Sequence, residues 1–353
     1  MLKPRASIAG LAPYRSPIVS RDGLGLDLNE SLAGCSPRVL ARLRSLSAAD
    51  VSRYPHRDLG EQMVANFLGI PSDQVLLTNG MDEALSLLFT AYLAEGDELL
   101  FADPTFVMYP ILGAALSANV VRVQSGEDLA LPVAGLLARI SPRTRVIAIA
   151  NPNNPTGLAA SRPDLLKISE AAPHAAVLID EAYFEFYGQT LLPDLASHPN
   201  LFIGRTFSKA YGLAGLRLGV LIGAAEQIGH LRRLSLPFNV NAVALACLEE
   251  ALLDQAFVRE HIAQVQQGRD QLSQLFNQLG LQFWPSQTNF VFVRVGASAK
   301  TFVESMQRLG ILVRDFSASP ACDGCVRITI GTPSQMNGVS QVIREAIAEA
   351  RRS

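Results

Sequence analysis

The chain has 353 residues, of which 49% are hydrophobic and 18% are charged, a composition typical of a globular protein with a large core and about two domains. The formal net charge is −2 and the basic residues are scattered, which argues against a nucleic acid or an acidic membrane surface as partner. We expect a cytoplasmic protein, since the sequence has neither a secretory signal nor an apolar run near the ~20 residues that span a bilayer, and its four cysteines are too few for a disulfide framework.

Short apolar runs alternate with helical patterns through the first two thirds of the chain. Buried strands are predicted at residues 75–77, 98–101, 120–123, 145–150, 176–179, 201–203 and 218–222, with helices at 82–93 and 163–171. Continuous apolar strands separated by helices are typical of a parallel sheet that is covered on both faces. The sequence therefore predicts an α/β domain with a mostly parallel central sheet.

The last third of the chain has a different pattern. A long helical stretch at 245–275 precedes a strand at 289–295, a helix at 301–309 and strands at 310–314 and 326–330. This order predicts a smaller α+β domain. Because Pro237, Asn239 and Asn241 interrupt both periodicities, we predict a large domain at 42–240 and a second unit formed by an N-terminal arm, 1–41, and residues 241–353.

The chemically informative residues follow predicted strands, where an open α/β sheet binds its ligands. Lys209 lies just past a strand, between the hydroxyls of Thr206 and Ser208 and the guanidinium of Arg217. A lysine that is desolvated there is an amine nucleophile, and the hydroxyls with the arginine suit a phosphate. The alternative interpretation is a glycine-rich turn that carries a surface lysine.

Two further strand ends carry polar groups. The proline-fixed turn at 151–157 holds Asn154, whose amide can donate to a ligand oxygen. Asp180 follows a fully apolar strand, where a carboxylate needs a partner such as a protonated pyridine nitrogen, and Tyr183 is three residues on. A rigid turn and a capping aspartate are the simpler explanations.

Other candidates are less specific by themselves. Gly80 and Met81 open a helix whose free amides suit an anion, although an ordinary helix cap explains them equally well. Phe106 follows a strand and can stack on a flat ring or belong to the core. Arg314 and Arg327 lie on or beside apolar strands, where each needs an anion, either a substrate carboxylate or an internal ion pair.

No metal site is predicted. Cys322 and Cys325 have the spacing of half a zinc site, but neither a second pair nor a nearby histidine accompanies them. We interpret this segment as a loop.

The motifs together resemble the fold type I, class I/II family of pyridoxal-phosphate aminotransferases, in particular its histidinol-phosphate aminotransferase branch. The resemblance covers nearly the whole chain. It rests on Asn-Asn-Pro-Thr-Gly at 153–157, Ser-Lys-Ala at 208–210 with Ala-Gly-Leu-Arg at 214–217, and Val-Arg-Ile-Thr-Ile-Gly-Thr at 326–332. Motifs in this order are specific for the cofactor and less so for the substrate.

The resemblance implies a role for each matching position around pyridoxal 5'-phosphate. Lys209 would carry the cofactor, Asp180 would pair with the pyridine nitrogen, and Asn154 and Tyr183 would hold the phenolic oxygen. The cofactor phosphate would be bound by Thr206, Ser208, Arg217 and the amides of Gly80 and Met81, while Phe106 would stack on the ring. Tyr54 resembles a tyrosine that reaches the neighbouring subunit's cofactor phosphate, which implies a homodimer.

On the substrate side, the resemblance implies that Arg327 grips an α-carboxylate and that Tyr14 and Arg314 hold a distal phosphate. Asn29 lies in a segment that borders the substrate. The expected reaction is ping-pong transamination from histidinol phosphate to 2-oxoglutarate. An aromatic or specialised-metabolite aminotransferase is the alternative, and a decarboxylase is a more distant one.

The sequence departs from the branch at two places that border the substrate side. The usual Asn-Glu-Asn-Pro is here Asn-Glu-Ser-Leu at 29–32, and His56-Arg57 replaces the acidic-proline pair after Tyr54-Pro55. The departures therefore concern the amino donor and leave the cofactor residues untouched.

Overall fold

The fold is built around two β-sheets in a computed structural model that describes residues 2–13 and 22–352. The strands are β1 (Leu24–Leu26), β2 (Val75–Thr78), β3 (Glu98–Asp103), β4 (Asn119–Gln124), β5 (Thr144–Ala150), β6 (Ala176–Asp180), β7 (Leu201–Thr206), β8 (Gly219–Gly223), β9 (Gln282–Trp284), β10 (Phe290–Arg294), β11 (Ile311–Asp315) and β12 (Cys325–Thr329). The helices are α1 (Ala6–Ala9), α2 (Pro37–Arg44), α3 (Ala48–Ser52), α4 (Arg57–Leu68), α5 (Gly80–Tyr92), α6 (Met108–Ala115), α7 (Val133–Arg139), α8 (Arg162–Ala171), α9 (Phe184–Tyr187), α10 (Ala225–Arg232), α11 (Ala242–Leu253), α12 (Gln255–Leu279), α13 (Ala299–Arg308) and α14 (Pro333–Ala350).

The larger sheet has the strand order β2-β8-β7-β6-β5-β3-β4. Its neighbouring strands are parallel except for β8, which is antiparallel to both β2 and β7. The predicted mostly parallel sheet is confirmed. Its central strands are largely apolar because both faces are covered: Ile147 and Ile149 pack into one core cluster, and Val146 and Ala148 into the other. The strand predicted as buried at 120–123 is wrong in that respect, because β4 lies at the edge of the sheet and has no buried residue.

The smaller sheet has the order β1-β11-β12-β10-β9 and is antiparallel except where β1 pairs with β11. The sequence analysis did not predict β1, whose three residues are too few to show a period of two. This strand joins the N-terminal part of the chain to the C-terminal sheet. It delivers the segment that follows it, 27–30, to the region between the sheets.

The helical stretch predicted at 245–275 is wrong in one respect, because the structure divides it into α11 and α12. The break lies at Asp254, whose side chain accepts a hydrogen bond from the backbone N–H of Phe257 and so caps the second helix. Within the described residues, no helix combines the length and the hydropathy needed to cross a membrane.

The topology brings several strand ends to one edge. β5, β6 and β7 are parallel, so Ala150, Asp180 and Thr206 end on the same side of the sheet. The antiparallel β8 begins there, with Gly219 opposite both Thr78 and Thr206. The turns that carry the predicted site residues therefore meet at this edge.

Candidate active site

The edge where these strands end opens into a cavity of about 780 Å³ that is also lined by the smaller sheet. The residues singled out from the sequence that line it are Asn29, Met81, Phe106, Asn154, Asp180, Tyr183, Thr206, Ser208, Lys209, Arg217, Arg314 and Arg327. Gly80 directly precedes Met81 at the start of α5. Tyr54 lies outside this lining, and Tyr14 lies outside the described residues.

Lys209 is held in the wall of the cavity by the N-terminal segment. Its Nζ donates to the carbonyl oxygens of Leu28 at 3.2 Å and of Asn29 at 3.1 Å. Burial, helped by the positive charge of Arg327, lowers the pKa of this amine to about 8. A sizeable neutral fraction at mild pH is what an amine nucleophile requires.

Asp180 ends β6 at the floor of the cavity. Its Oδ2 accepts a 2.8 Å hydrogen bond from the hydroxyl of Tyr109, and its Oδ1 accepts one from the N–H of Ala182 at 3.1 Å. Burial raises the pKa of the carboxyl to about 6 in spite of these donors. A cationic partner, such as a protonated pyridine nitrogen, would stabilise the ionised form.

Tyr109 was not identified by the sequence analysis. It is fully buried, and its ring packs edge-on against Phe106 with centroids 5.7 Å apart. The spacing of three between the two aromatics, at the start of α6, was the only sequence signal. Tyr109 thus supports both the side chain expected to stack on the ring and the carboxylate expected to face its nitrogen.

A phosphate-sized group has a place between α5 and the turn before β8. Arg217 adopts a left-handed backbone, with φ of 54°, and donates to Oδ2 of Asp82 at 3.0 Å. Its guanidinium lies so close to Gly80 that a β-carbon there would be 2.6 Å from Nη2. The hydroxyls of Thr206 and Ser208 are hydrogen-bonded to each other at 3.0 Å beside it. Hydroxyls, a guanidinium and a helix N-terminus are the donors that bind phosphate.

Asn154 and Arg327 are paired across the cavity. Nη1 of Arg327 donates to Oδ1 of Asn154 at 2.6 Å, and Nη2 donates to the carbonyl oxygen of Asp27. Because the oxygen of the Asn154 amide is taken, its NH₂ group is the part that remains to donate to a ligand.

Arg314 lies directly opposite Arg327 on the neighbouring strand, so the two side chains share one face of the smaller sheet and both line the cavity. Like charges in this position destabilise a sheet unless an anion joins them. The pair therefore makes this side of the cavity a site for an acidic substrate.

Asn29 lines the cavity, and its expected contact with the substrate stays a prediction. The residue is 1% exposed, and its amide is committed to Tyr183 and Thr329 within the protein. Its side chain therefore shapes the wall of the cavity.

Tyr54 is 75% exposed and stacks on Phe238 with ring centroids 4.2 Å apart. An exposed stacked aromatic pair is consistent with the expected contact to a second subunit, which stays a prediction. No cluster of His, Cys, Asp and Glu that could hold a metal ion occurs in the part of the chain that the structure describes. Cys322 and Cys325 are buried free thiols around the turn that leads into β12.

The comparisons with known proteins point to the same chemistry. The profile of the family described as "Aminotransferase class I and II" matches residues 21–343. The chain is 36% identical to histidinol-phosphate aminotransferase 1 of Bacillus cereus and 37% identical to histidinol-phosphate aminotransferase 2 of Pseudomonas fluorescens, in each case over 91% of this chain and 88% of the relative. The crystal structure of histidinol-phosphate aminotransferase from Sinorhizobium meliloti in complex with pyridoxal-5'-phosphate superimposes with a TM-score of 0.91, at 25% identity, over 99% of this chain and 98% of that one.

The cavity has what pyridoxal phosphate requires: an amine of lowered pKa, a buried carboxylate that pairs with no cation among the described residues, and a phosphate cradle that a β-carbon at Gly80 would fill. With the matched profile extending over most of the chain, the protein belongs to the class I and II aminotransferase family and is a pyridoxal-phosphate-dependent aminotransferase.

Proposed function

We propose that this aminotransferase takes the amino group of histidinol phosphate and passes it to 2-oxoglutarate. The observation that carries the proposal is the pair Arg314 and Arg327, which face each other across β11 and β12 and line the same cavity. Two adjacent guanidiniums suit a phosphate or the two carboxylates of 2-oxoglutarate, so one site can serve both halves of the reaction. The relatives named for histidinol phosphate support this choice of donor.

The departure at His56-Arg57 does not weaken this proposal. Arg57 donates to the side chains of Ser235 at 2.6 Å and Asn239 at 2.9 Å, and it forms an ion pair with Glu61. The guanidinium is therefore committed to the packing of α4 against the 235–239 segment. It does not line the cavity.

The residues of the chain divide the work of the reaction between them. When bound, pyridoxal phosphate supplies an electron sink for the charge left on the substrate's α-carbon. Asp180, as a carboxylate, holds the proton on the pyridine nitrogen that the sink requires. The amine of Lys209 would remove the α-proton as general base and return a proton as general acid, a role worth about 10²–10⁴-fold in rate.

The binding groups orient the substrate for this transfer. Arg327, which lines the cavity, would bind an anionic group of the substrate, while its hydrogen bonds to Asn154 and to the carbonyl oxygen of Asp27 hold the guanidinium in place. Arg314 would bind the same phosphate of the donor and the second carboxylate of 2-oxoglutarate. A neutral amine would make neither of these charge-assisted contacts and would bind more weakly.

A homodimer and a cytoplasmic location belong to the same proposal. Tyr54 and Phe238, 75% and 51% exposed, are stacked on each other, and Leu236, two residues before Phe238, is 69% exposed. Exposed apolar side chains that cluster in this way favour a protein interface. In a dimer, Tyr54 would reach the partner's cofactor phosphate. The cytoplasmic location rests on the free cysteines, which suit a reducing compartment.

The donor is tested by mixing the purified yellow protein, without acceptor, with histidinol phosphate, phenylalanine, tyrosine, aspartate and threonine phosphate in separate samples. We expect histidinol phosphate to convert the visible absorbance to that of pyridoxamine phosphate with a kcat/KM about 100-fold or more above the aromatic amino acids, the scale set by losing a buried charge contact. A preference for an aromatic amino acid would contradict the proposed donor. Release of carbon dioxide from threonine phosphate, without conversion of the cofactor by any donor, would contradict transamination.

A further inference from the structure

Asn29 is a buried residue at which every polar group is hydrogen-bonded inside the protein. It is 1% exposed and adopts a left-handed backbone with φ of 55°. Its backbone N–H donates to Oγ1 of Thr329 at 3.1 Å, and its carbonyl oxygen accepts from Nδ2 of Asn289, also at 3.1 Å. The backbone of Asn29 is therefore fixed between β12 and the start of β10.

The fixed backbone determines which way the side-chain amide points. Thr329 accepts a hydrogen bond from the N–H of Asn29, so its own hydroxyl proton is free to donate, and Oδ1 of Asn29 lies 3.1 Å away as the acceptor. If the amide were turned around, its NH₂ group would face Thr329, and this hydroxyl would lose that acceptor. Thr329 is fully buried, and a buried donor without an acceptor is costly.

The orientation of the Asn29 amide in turn fixes the hydroxyl of Tyr183. Nδ2 of Asn29 donates to this hydroxyl at 2.9 Å, so the oxygen of Tyr183 is an acceptor on the side of the protein wall. The ring is held by the edge-to-face contact with Phe290, with centroids 5.3 Å apart, and is 4% exposed. Since Tyr183 lines the cavity, its own proton is left to donate into the cavity.

We propose that Thr329 and Asn29 form a one-way hydrogen-bond relay that makes Tyr183 a constant donor to the phenolic oxygen of the bound cofactor. Both residues act through the hydroxyl of Tyr183 and are positioning residues. Without them, the hydroxyl of Tyr183 could donate either to the wall or to the ligand. The inference rests on the cofactor of the family and is independent of which amino donor the enzyme uses.

The relay is tested by the pH titration of the visible absorbance of the holoenzyme, which needs no substrate. The proton that titrates lies between the cofactor's phenolic oxygen and the nitrogen of Lys209. A hydrogen bond donated to this oxygen stabilises the deprotonated form most, so it lowers the pKa, and its loss raises the pKa. Asn29→Asp keeps the size of the side chain and its tolerance for a positive φ. Its carboxylate can only accept, so it accepts hydrogen bonds from Thr329 and from Tyr183, and the hydroxyl of Tyr183 then donates to this carboxylate and no longer to the cofactor. We expect the titration midpoint to rise by about one pH unit, the scale of one hydrogen bond to a charged oxygen.

Three further variants make the test specific. Tyr183→Phe removes the donor itself and should raise the midpoint by a similar amount. Thr329→Val combined with Tyr183→Phe should raise it no further than Tyr183→Phe alone, because the relay acts only through this hydroxyl and neither substitution adds a charge. Thr329→Val breaks the relay, whereas Thr329→Ser keeps the hydroxyl and should titrate like the wild type. A midpoint unchanged in Asn29→Asp, or additive shifts in the double variant, would overturn the relay. If Asn29→Asp fails to fold, the contrast between Thr329→Val and Thr329→Ser decides, and equal midpoints there would overturn it.

Discussion

The hydroxyl of Tyr109 donates a 2.8 Å hydrogen bond to Oδ2 of Asp180 from beneath the floor of the active site. Burial raises the pKa of Asp180 to about 6, and this hydrogen bond is the strongest of the contacts that oppose the rise. Asp180 must be ionised to hold a proton on the pyridine nitrogen. Tyr109 therefore helps to keep the carboxylate charged at neutral pH.

Replacing Tyr109 with Phe should move the acid limb of the activity profile. The pKa of Asp180 is already above its ordinary value, and loss of the Tyr109 hydroxyl raises it further. Activity requires the ionised carboxylate, so it falls as the pH drops through this pKa. In the variant this fall occurs at a higher pH than in the wild type. We expect the acid limb of kcat to shift upward by about half to one pH unit, as loss of one hydrogen bond predicts. Asp180→Asn should remove this limb together with most of the activity. Superimposable acid limbs for Tyr109→Phe and the wild type would show that Tyr109 has no electrostatic role.

The lowered pKa of Lys209 predicts how the cofactor-free protein captures pyridoxal phosphate. The amine attacks when it is neutral, and its pKa is lowered from the ordinary 10.5 to about 8, so the rate of capture should rise with pH and level off above about 8. Stopped-flow measurement of the visible absorbance over pH 6–10 would give this profile, with the range chosen as about two pH units around the pKa.

The matched variants for this prediction are Lys209→Ala and Lys300→Ala. Lys300 is on the surface, with an exposed side chain. Borohydride should fix the cofactor to the wild type and to Lys300→Ala, and should fix none to Lys209→Ala. A reducible yellow band that survives in Lys209→Ala would exclude Lys209 as the cofactor lysine.

Gly80→Ala should weaken cofactor binding through Arg217. The new β-carbon would lie 2.6 Å from Nη2 of Arg217 and displace the guanidinium from the phosphate cradle. Gly96→Ala is the matched control, because Gly96 also has a positive φ, of 86°, but a β-carbon there meets no atom within 4 Å. Both variants should lose about 1–2 kcal/mol of folding free energy through backbone strain, measured by denaturant unfolding of the cofactor-free proteins.

Cofactor affinity separates the two glycine variants. Gly80→Ala should raise the dissociation constant of pyridoxal phosphate by about tenfold or more, which corresponds to about 1.4 kcal/mol, or roughly the loss of one charged contact. Gly96→Ala should leave it unchanged. Equal affinities in the two variants would mean that Arg217 does not bind the cofactor phosphate.

The parallel sheet and the residues at its strand ends were predictable because both follow from local patterns. Apolar runs mark doubly covered strands, and Asp180 and Lys209 lie just past such runs, so their meeting in one cavity followed from topology alone. Tyr109 and Thr329 were not predictable in this way. Their roles depend on which atoms from distant parts of the chain come within about 3 Å of their hydroxyls. A tyrosine or a threonine in a sequence does not indicate which partner its hydroxyl will have. The break at Asp254 was missed for a similar reason. An aspartate within a helical pattern can be recognised as a helix cap only from the hydrogen bond that its side chain makes to the backbone.

Arg314→Gln should separate recognition of the distal anion from the chemistry. A charge-assisted hydrogen bond contributes about 1.5–3 kcal/mol, so KM for histidinol phosphate should rise about 10- to 100-fold while kcat falls little. The slow transamination of phenylalanine, which has no distal anion, should be unaffected and serves as the internal control. An equal loss for both donors would indicate that Arg314 supports the structure of the smaller sheet and does not bind the substrate.

The proposed dimer predicts that a variant with weakened cofactor binding regains full affinity when it is paired with an inactive one. Tyr54→Phe keeps the stacking with Phe238 but removes the hydroxyl that would reach the partner's cofactor phosphate, and Lys209→Ala removes the nucleophile. In a mixed dimer, the site that keeps Lys209 receives an intact Tyr54 from the other subunit, whereas the second site lacks both. Co-expression with two different affinity tags yields this hybrid. We expect the hybrid to bind one cofactor per dimer with the affinity of the wild type. The Tyr54→Phe dimer should bind the cofactor about tenfold more weakly, because it lacks roughly one charged hydrogen bond. A hybrid with the affinity of Tyr54→Phe would place Tyr54 outside the partner's site, because complementation requires that the hydroxyl cross the interface.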